Sequence, residues 1–376
     1  MALYPRGFSK LLATIAVLTY GNCAMNYTAL RSLLFKLPPE TAHTLAETAF
    51  VCAQKTPFVL GLLAQKYADT HEDIRQKIFD LNFPNPVGIG AGFDKNGTMI
   101  RPLAALGFGF IEIGTATPKP QNGNKKPRLW RHIAHGSLQN AMGFNNRGIE
   151  KIAARAAKLA PFAIPIGINL GKNKTTPNEN AIADYLIGLE KSHHAADYFV
   201  FNISSPNTPN LRDLQNGSFI TELFTAAAAI TAKPLLLKIA PDLAIEDAVE
   251  LCNAAIGAGA RGIIAANTTN DYSLIAGSEA RGGGLSGAIL TTKSREFFGA
   301  IAKEFFGRTI LVSCGGIMDA DEAWARIKMG ASLVQCYTGF IYGGASFAKS
   351  IALGVADRMK SEGFETIAQA IGADRR

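Results

Sequence analysis

Eight short apolar runs alternate with segments suited to helices, and this alternation constrains the fold more than any other feature. The runs span residues 87–92, 110–115, 165–170, 198–204, 234–240, 262–268, 309–314 and 332–337. Continuous apolar strands separated by helices indicate a parallel sheet that is buried on both faces. Eight such units in one domain predict the α/β class and a closed (β/α)₈ TIM barrel, with an open doubly wound sheet as the alternative.

Six segments between these runs have helical patterns, and one long connection does not. The helical segments cover residues 149–159, 180–192, 218–231, 245–257, 290–306 and 319–328. The connection 116–147 contains three prolines and is longer than an ordinary loop. Because long loops in compact domains usually carry function, we expect this one to contribute to a binding site.

Two apolar stripes precede the first run and predict a helical hairpin at residues 25–70, ahead of a barrel at 71–376. The first stripe comprises Leu30, Leu33, Leu34 and Leu37, and the second comprises Ala42, Leu45, Ala46, Ala49 and Phe50. Their three- and four-residue spacing places each stripe on one helix face. The stripes either join the core or remain available to an apolar ligand or a bilayer.

The first 24 residues are treated separately from the fold. They have a basic start at Arg6 and Lys10, and a short apolar stretch follows at 11–18. This pattern fits a weak targeting or anchor segment, or an extension upstream of a true start at Met25. Residues 1–36 contain four basic and no acidic residues, a balance that favours an anionic lipid surface.

Composition excludes several classes of protein. With 376 residues and 48% hydrophobic side chains, the chain can bury a large core and is not disordered. Its net charge of +8 is dispersed and lacks a nucleic-acid-binding motif, so we expect no nucleic-acid partner. The five cysteines show no CxxC or His-rich spacing, so neither a zinc site nor a disulfide framework is expected, and a reducing compartment fits best. The apolar runs of the sequence do not have the pattern of membrane spans that a polytopic membrane protein requires.

Polar residues end the predicted strands, which is where a barrel places its active site. Asn169, Asn202 and Asn267 lie near the ends of three runs, and Lys238 lies inside a fourth. The neutral donors and acceptors suit a planar heterocycle. The sequence has no cluster of His or carboxylate residues, so no metal site is expected. A lysine within an apolar strand needs an anionic or hydrogen-bonding partner.

Two glycine-rich segments flank the seventh run, at residues 282–287 and 314–316. Glycines let backbone N–H groups approach an anion, and TIM barrels commonly bind phosphate at the loops after strands seven and eight. A phosphate site next to a heterocycle site predicts FMN or a nucleotide-like ligand. Simple tight turns are the alternative interpretation.

Three longer motifs carry a family resemblance. They are Ala-Gly-Phe-Asp-Lys-Asn-Gly at 91–97, Glu-Ile-Gly-Thr-Ala-Thr-Pro-Lys-Pro at 112–120 and Asn-Ile-Ser-Ser-Pro-Asn-Thr-Pro at 202–209. Over residues 26–355 the chain resembles the class 2, quinone-dependent dihydroorotate dehydrogenases, including the helical hairpin that soluble members lack. The resemblance implies oxidation of dihydroorotate to orotate through FMN, with a membrane quinone as electron acceptor, in de novo pyrimidine (UMP) biosynthesis. It also implies peripheral membrane association at the cytoplasmic face of the inner membrane, or at the mitochondrial inner membrane in a eukaryote.

The same resemblance implies roles for individual residues. Ser205 is the expected catalytic base. The expected contacts to substrate are Lys95, Asn140, Ala141, Met142, Gly143, Phe144, Asn202, Asn207, Asn267 and Thr268. The expected contacts to FMN are Ala91, Gly92, Thr115, Asn169, Asn202, Lys238, Gly287, Gly316, Tyr337 and Thr338. His43, Arg131 and Tyr337 are expected along a quinone route.

Two positions depart from the family pattern. Ala266 stands where a hydroxyl residue is usual, and Asn210 stands where glycine is common in the loop after Ser205. Neither removes a group that the chemistry needs. Two other functions stay open at this point: another FMN barrel oxidoreductase acting on a pyrimidine, and a phosphate-ligand barrel without redox chemistry.

Overall fold

A computed structural model describes residues 27–68 and 71–376 of the chain. The predicted N-terminal segment 1–24 therefore lies outside the described residues. The helices are α1 Tyr27–Leu34, α2 Pro39–Gln54, α3 Pro57–Tyr67, α4 Ile100–Ala105, α5 Ile149–Ala157, α6 Ala181–Ser192, α7 Gly217–Ala228, α8 Ile245–Gly257, α9 Thr291–Phe305, α10 Ala320–Lys328, α11 Thr338–Gly343, α12 Phe347–Ser361 and α13 Ile367–Ala370. The strands are β1 Gln76–Ile78, β2 Leu81–Phe83, β3 Val87–Ile89, β4 Phe110–Ala116, β5 Leu129–His132, β6 Ser137–Asn140, β7 Ile166–Leu170, β8 Tyr198–Asn202, β9 Leu235–Ile239, β10 Gly262–Ala265, β11 Gly284–Gly287, β12 Ile310–Cys314 and β13 Leu333–Cys336.

Eight parallel strands close into a barrel in the order β3, β4, β7, β8, β9, β10, β12 and β13. The ring closes where β13 pairs with β3, with Val334 opposite Val87. Each of the eight predicted runs supplies one of these strands, and each of the six predicted helical segments contains a helix. The (β/α)₈ prediction is confirmed, and closure of the sheet excludes the doubly wound alternative.

The barrel interior is apolar at one end and polar at the other. Side chains alternate across each strand, so every second residue points inward. The part of the interior toward the amino ends of the strands is apolar. It is filled by Phe110, Tyr198, Val200, Leu236, Ile264, Val312 and Leu333, together with Phe83 and Ile78 from the β1–β2 hairpin. Two residues further along their strands, Glu112, Lys238 and Gln335 replace these apolar groups and are buried. The polar layer therefore lies toward the carboxyl ends of the strands.

In the described residues, three helices precede the barrel, one more than the sequence predicted there. The additional helix is α3, which begins at Pro57 directly after α2 and packs on α4. Helix α1 is fixed by polar contacts: the Tyr27 hydroxyl donates to the Ile341 carbonyl at 2.6 Å and Arg31 donates to the Tyr342 carbonyl at 2.8 Å. Helix α3 was missed because its apolar residues, from Phe58 to Leu63, show no narrow stripe.

The long connection 116–147 is partly a sheet and not only a loop. It contains β5 and β6, which pair antiparallel, and β11 adds to β6 as a third strand. The glycine-rich segment 282–287, predicted to contribute to a phosphate site, thus includes a short strand, Gly284–Gly287. Its register opposite Asn140 and Ser137 brings the two loop segments together at the carboxyl end of the barrel.

Candidate active site

One cavity opens at the carboxyl ends of the barrel strands and collects most of the predicted site residues. Those that line it are His43, Ala91, Gly92, Lys95, Thr115, Asn140, Met142, Gly143, Phe144, Asn202, Ser205, Asn207, Lys238, Asn267, Thr268, Gly287, Gly316, Tyr337 and Thr338. They come from barrel strands and the loops that follow them, from the β5–β6–β11 sheet and from helix α2. Residues far apart in sequence are thus neighbours because parallel strands end at one face.

Three predicted site residues do not line this cavity. Ala141 lies behind Asn140, and its amide donates to the Arg128 carbonyl. Asn169 lies one layer deeper in the barrel. Its side-chain oxygen accepts hydrogen bonds from Thr115 and Asn202, which line the cavity. Arg131 lies on the β5 side and donates to the carbonyls of Phe35 and Leu37, at 3.3 and 2.8 Å. It therefore holds the turn that follows helix α1 against the sheet.

Lys238 has the buried partner that its position in an apolar strand requires. Its Nζ lies 3.4 Å from Glu112 Oε1 and 3.3 Å from Gln335 Oε1. Burial alone would lower the pKa of Lys238, but the Glu112 carboxylate outweighs that effect and raises it, so the side chain stays cationic. Two of its three protons face these oxygens, which leaves at least one donor for a ligand.

Glu112 and Gln335 belong to the site although the sequence reasoning missed them. Glu112 is fully buried, and it accepts hydrogen bonds from Asn169 at 2.6 Å and from the Gln335 amide. The signal was present, because a glutamate between Ile111 and Ile113 is as unusual in an apolar strand as Lys238 is in its own. Searching the apolar runs for a charge opposite to Lys238 would have found it.

A hydrogen-bonded chain connects this buried pair to the cavity. Thr115 Oγ1 donates to Asn169 Oδ1 at 2.5 Å, and Asn202 Nδ2 donates to the same oxygen at 3.1 Å. Asn202 Oδ1 in turn accepts from Ser204 Oγ at 3.1 Å. Asn267 Nδ2 donates to Ser204 Oγ at 2.9 Å. Because each amide is held on both sides, the edges that face the cavity are fixed in orientation.

Ser205 lies at the cavity wall and is 6% exposed. Its hydroxyl oxygen accepts a hydrogen bond from the Asn207 backbone N–H at 3.2 Å. That donor stabilises negative charge on Oγ and orients the hydroxyl. The preceding Ser204 carbonyl accepts from Arg212 at 3.0 Å, and the same guanidinium donates to the Thr268 carbonyl at 3.1 Å. Arg212 therefore fixes the loop after Ser205 to the end of β10.

Unpaired polar atoms occur in the wall of the cavity, where Asn145 and Asn207 line it. Within the described parts of the chain, the oxygens Asn145 Oδ1, Asn207 Oδ1 and Thr208 Oγ1 are buried without a hydrogen-bond partner. Asn207 Nδ2 is already used, since it donates to Asn140 Oδ1 at 2.9 Å. A buried acceptor without a donor costs about 1–3 kcal/mol, so the oxygens of Asn145 and Asn207, which line the cavity, are suited to ring N–H groups of a ligand.

Asn210 shows how the second departure from the family pattern is accommodated. Its φ of 56° is left-handed, a conformation that usually selects glycine. Asparagine is one of the few other residues that adopt it readily. Its carbonyl also accepts from Asn178 Nδ2 at 2.8 Å. The backbone shape that glycine would give to this loop is therefore retained.

The opposite end of the cavity has the chemistry of a phosphate site. Gly287, Gly315 and Gly316 all have left-handed φ values, and a Cβ atom on Gly287 would lie 2.6 Å from the Gly136 carbonyl oxygen. No side chain can therefore cover the backbone at these points. The hydroxyls of Ser286 and Thr338 lie 3.0 Å apart beside them. Together with Lys238 and the amides, this donor set fits a flavin mononucleotide, a polar heterocycle that carries a phosphate.

Comparisons with known proteins agree with this geometry. The family profile described as dihydroorotate dehydrogenase matches residues 73–359. The chain belongs to the dihydroorotate dehydrogenase family. It is 53% identical to "Dihydroorotate dehydrogenase (quinone)" of Nitratiruptor sp. over 352 residues, which cover 94% of this chain and 100% of that protein. It is 50% identical to the protein of the same name in Helicobacter acinonychis, again over 94% of this chain and 100% of the relative.

A solved structure of the dihydroorotate dehydrogenase family shares the fold. The crystal structure of DHODH from Eimeria tenella in complex with ferulenol superposes with a TM-score of 0.78 at 32% identity. The match covers 92% of this chain and 99% of that one.

Aromatic and imidazole rings connect helix α2 to the cavity of this dihydroorotate dehydrogenase family member. The His43 and Phe93 ring centroids lie 5.4 Å apart, and those of Phe93 and Tyr337 lie 5.7 Å apart. Burial, with a smaller contribution from Lys95, lowers the pKa of His43 to about 3. A neutral imidazole here can donate or accept a hydrogen bond without carrying charge into an apolar passage.

Proposed function

We propose that the protein is a quinone-dependent dihydroorotate dehydrogenase that uses FMN, and that it acts in pyrimidine biosynthesis. The observation that carries the proposal is the shared cavity of Ser205, Lys95 and Lys238 at one end of the barrel. Relatives named dihydroorotate dehydrogenase (quinone), at 53% and 50% identity over nearly their whole length, support the same activity.

Ser205 is the proposed base for the substrate. Its Oγ takes the proton from C5 of dihydroorotate, and the Asn207 N–H stabilises the negative charge that develops on that oxygen. Thr208 Oγ1, which is buried without a partner in the described structure, can take part in passing that proton on. The Arg212 contacts to the Ser204 and Thr268 carbonyls hold the loop over the substrate and exclude water.

Amides and one lysine bind and orient the substrate. Asn140, Asn207 and Asn267 present fixed amide edges to the ring, and the unpaired oxygen of Asn207 accepts from a ring N–H. Lys95 binds the substrate carboxylate. Its Nζ currently donates to the Gly92 carbonyl at 2.5 Å, so it is held at the cavity wall with further protons free.

The cofactor supplies the redox step: FMN, when bound, accepts the hydride that leaves C6 of dihydroorotate and passes the electrons to a quinone. Lys238 would hold the flavin ring at its polar edge and favour negative charge there. Thr115, Asn202 and, through them, Asn169 would orient the ring, while the backbone at Gly287 and Gly316 and the Thr338 hydroxyl would hold the phosphate.

The N-terminal helices provide a passage for a long apolar quinone. Leu33 on α1 and Phe58 on α3 are 61% and 75% exposed, the highest values among the large apolar side chains of the described residues. His43, Phe93 and Tyr337 continue from α2 into the cavity. Among the described residues, no helix has the length and apolarity needed to cross a bilayer. On the basis of the exposed apolar side chains of α1 and α3, we propose peripheral docking of these helices on the cytoplasmic face of the inner membrane, or its mitochondrial counterpart.

The activity is tested by separating its two halves. The purified, FMN-loaded protein is mixed with dihydroorotate without oxygen, and a quinone, fumarate or NAD is then added in separate samples. We expect loss of the flavin absorbance with dihydroorotate and its rapid return only with the quinone. A flavin that stays oxidised with dihydroorotate contradicts the substrate, and reoxidation by fumarate or NAD at the quinone rate contradicts the acceptor.

Membrane docking is tested with a charged double variant. Leu33→Asp with Phe58→Asp should weaken binding to vesicles that contain anionic lipid by on the order of tenfold or more, because two exposed apolar anchors are lost. Ile245→Asp, which alters a 36% exposed side chain on a barrel helix, is the control and should bind as the wild type does. Equal vesicle binding by the double variant, measured by sedimentation, would exclude docking through α1 and α3.

A further inference from the structure

Helix α2 presents an acidic face to the substrate cavity. Glu40, His43, Thr44 and Glu47 follow one another at close helical spacing, and all four line the cavity. Glu40 is already paired, because it lies 3.0 Å from the Arg128 guanidinium and 3.7 Å from Lys126. Glu47 forms no ion pair within 4.0 Å in the described residues. The role of its carboxylate is therefore not explained by a structural salt bridge.

Glu47 is hydrogen-bonded to the loop that carries Lys95. Thr98 Oγ1 donates to Glu47 Oε1 at 2.7 Å. In the same loop, the Asp94 carboxylate accepts from the backbone N–H groups of Asn96, Thr98 and Met99, which fixes the turn around Lys95. The N-terminal helix and the substrate lysine are thus joined through a short, rigid loop.

Lys95 needs a compensating charge in this position. Burial lowers the pKa of Lys95 to about 8, although Glu47 and Glu40 raise it. The positive charge of Arg128 lowers the pKa of Lys95, whereas the Asp94 carboxylate raises it. His43 faces Lys95 from helix α2 but is neutral at physiological pH. Because the positive charge of Arg128 offsets much of the negative charge of Glu40, the carboxylate of Glu47 is the main negative charge left to balance that of Lys95.

We propose that Glu47 is a positioning residue of the substrate site, which keeps the Lys95 ammonium charged and ready to bind an anionic carboxylate. Helix α2 then has a second task beside the quinone passage, because it carries the counter-charge for the lysine. The inference rests on the proposed function, since it takes orotate and dihydroorotate as the anions that Lys95 binds.

The sign of the pH effect follows from these charges. Lys95 binds a carboxylate only when protonated, so affinity for orotate falls as the pH rises through the pKa of Lys95, about 8 in the protein. Removing the charge of Glu47 lowers that pKa further, so the fall starts at a lower pH. Well below the pKa the lysine is charged in both forms, and loss of a nearby anion then no longer weakens binding of an anionic ligand.

The test is the affinity for orotate, measured by calorimetry on FMN-loaded wild type and Glu47→Gln between about pH 6 and about pH 9. Glutamine keeps the oxygen that accepts from Thr98 and removes only the charge. We expect equal or tighter binding at the acidic end and weaker binding, by on the order of threefold to tenfold, at the alkaline end. Glu304→Gln makes the same change at an exposed position of α9, and this control variant should follow the wild-type curve.

Each outcome decides between explanations. A Glu47→Gln curve that coincides with the wild type overturns the inference, and so does a loss by one constant factor at every pH, which would indicate a structural role. Thr98→Val, which removes the hydrogen bond and keeps the charge, should preserve the wild-type pH dependence. If the wild type binds no orotate at any pH, the proposed function fails and not merely the role of Glu47.

Discussion

Replacing Ser205 with alanine is expected to slow flavin reduction by dihydroorotate by on the order of 10² to 10⁴, the usual effect of losing a positioned base. Ser205 is 6% exposed and lines the cavity, and its hydroxyl oxygen is oriented by the Asn207 N–H. Because the other substrate contacts remain, orotate should still bind and the protein should still hold FMN. Anaerobic rapid mixing measures the rate from the loss of flavin absorbance.

The neighbouring serine provides a matched control for this prediction. Ser204 is fully buried, and its hydroxyl bonds to Asn202 and Asn267 instead of facing the substrate. Ser204→Ala should therefore weaken orotate binding more than it slows the limiting rate of reduction. A Ser205→Ala enzyme that reduces its flavin at a near-normal rate would show that another group is the base. Loss of the flavin would point to a structural role.

The sequence predicted the barrel well because its strands have an unambiguous signal. A parallel strand buried on both faces must be continuously apolar, so runs such as 166–170 and 235–239 stand out from their helical surroundings. The same rule positioned the site, since the carboxyl ends of these strands meet at one face. Strand β3 is described by three residues only, yet the run around it was recognised for the same reason.

Elements outside the barrel were harder to predict because no single burial pattern defines them. Strand β5 is half-buried along its length and carries Trp130, Arg131 and His132. Strand β11 contains two glycines and follows two more, so its local signal was that of a turn. Both strands form only because they pair with β6, and the pairing of β11 with β6, across more than a hundred residues, leaves no local pattern in the sequence.

Most residues that line the cavity were predicted from the sequence to lie together, but their contacts were not. The resemblance places Arg131 on a quinone route, which stays a prediction, and only the structure shows that its guanidinium donates to the Phe35 and Leu37 carbonyls just after α1. Lys238 was recognised as needing a partner, yet only the fold shows that the partner is Glu112, 126 positions away. Register around the barrel decides which inward residues share a layer, and register is a property of the closed sheet.

The ion pair of Lys238 and Glu112 allows a stronger test of the flavin site than a single substitution. Lys238→Met leaves the fully buried Glu112 without its cation and should destabilise the protein by about 3–5 kcal/mol. Glu112→Gln leaves the lysine without its anion and should also destabilise it. The double variant removes both charges, while the side-chain oxygen of the introduced glutamine can still accept from Asn169, so most of the lost stability should return. Urea unfolding of the FMN-free protein measures each change.

The double variant should recover its stability but not its affinity for FMN. If Lys238 holds the flavin ring through a charged hydrogen bond, the double variant lacks about 1.5–3 kcal/mol of binding free energy, which is roughly 10- to 150-fold in affinity. Quenching of FMN fluorescence on titration with protein measures that loss. A double variant that recovers both stability and FMN affinity would mean that Lys238 only neutralises Glu112. A stable double variant that binds FMN poorly would separate the two roles, because the fold would then tolerate the absence of a charge that the ligand needs.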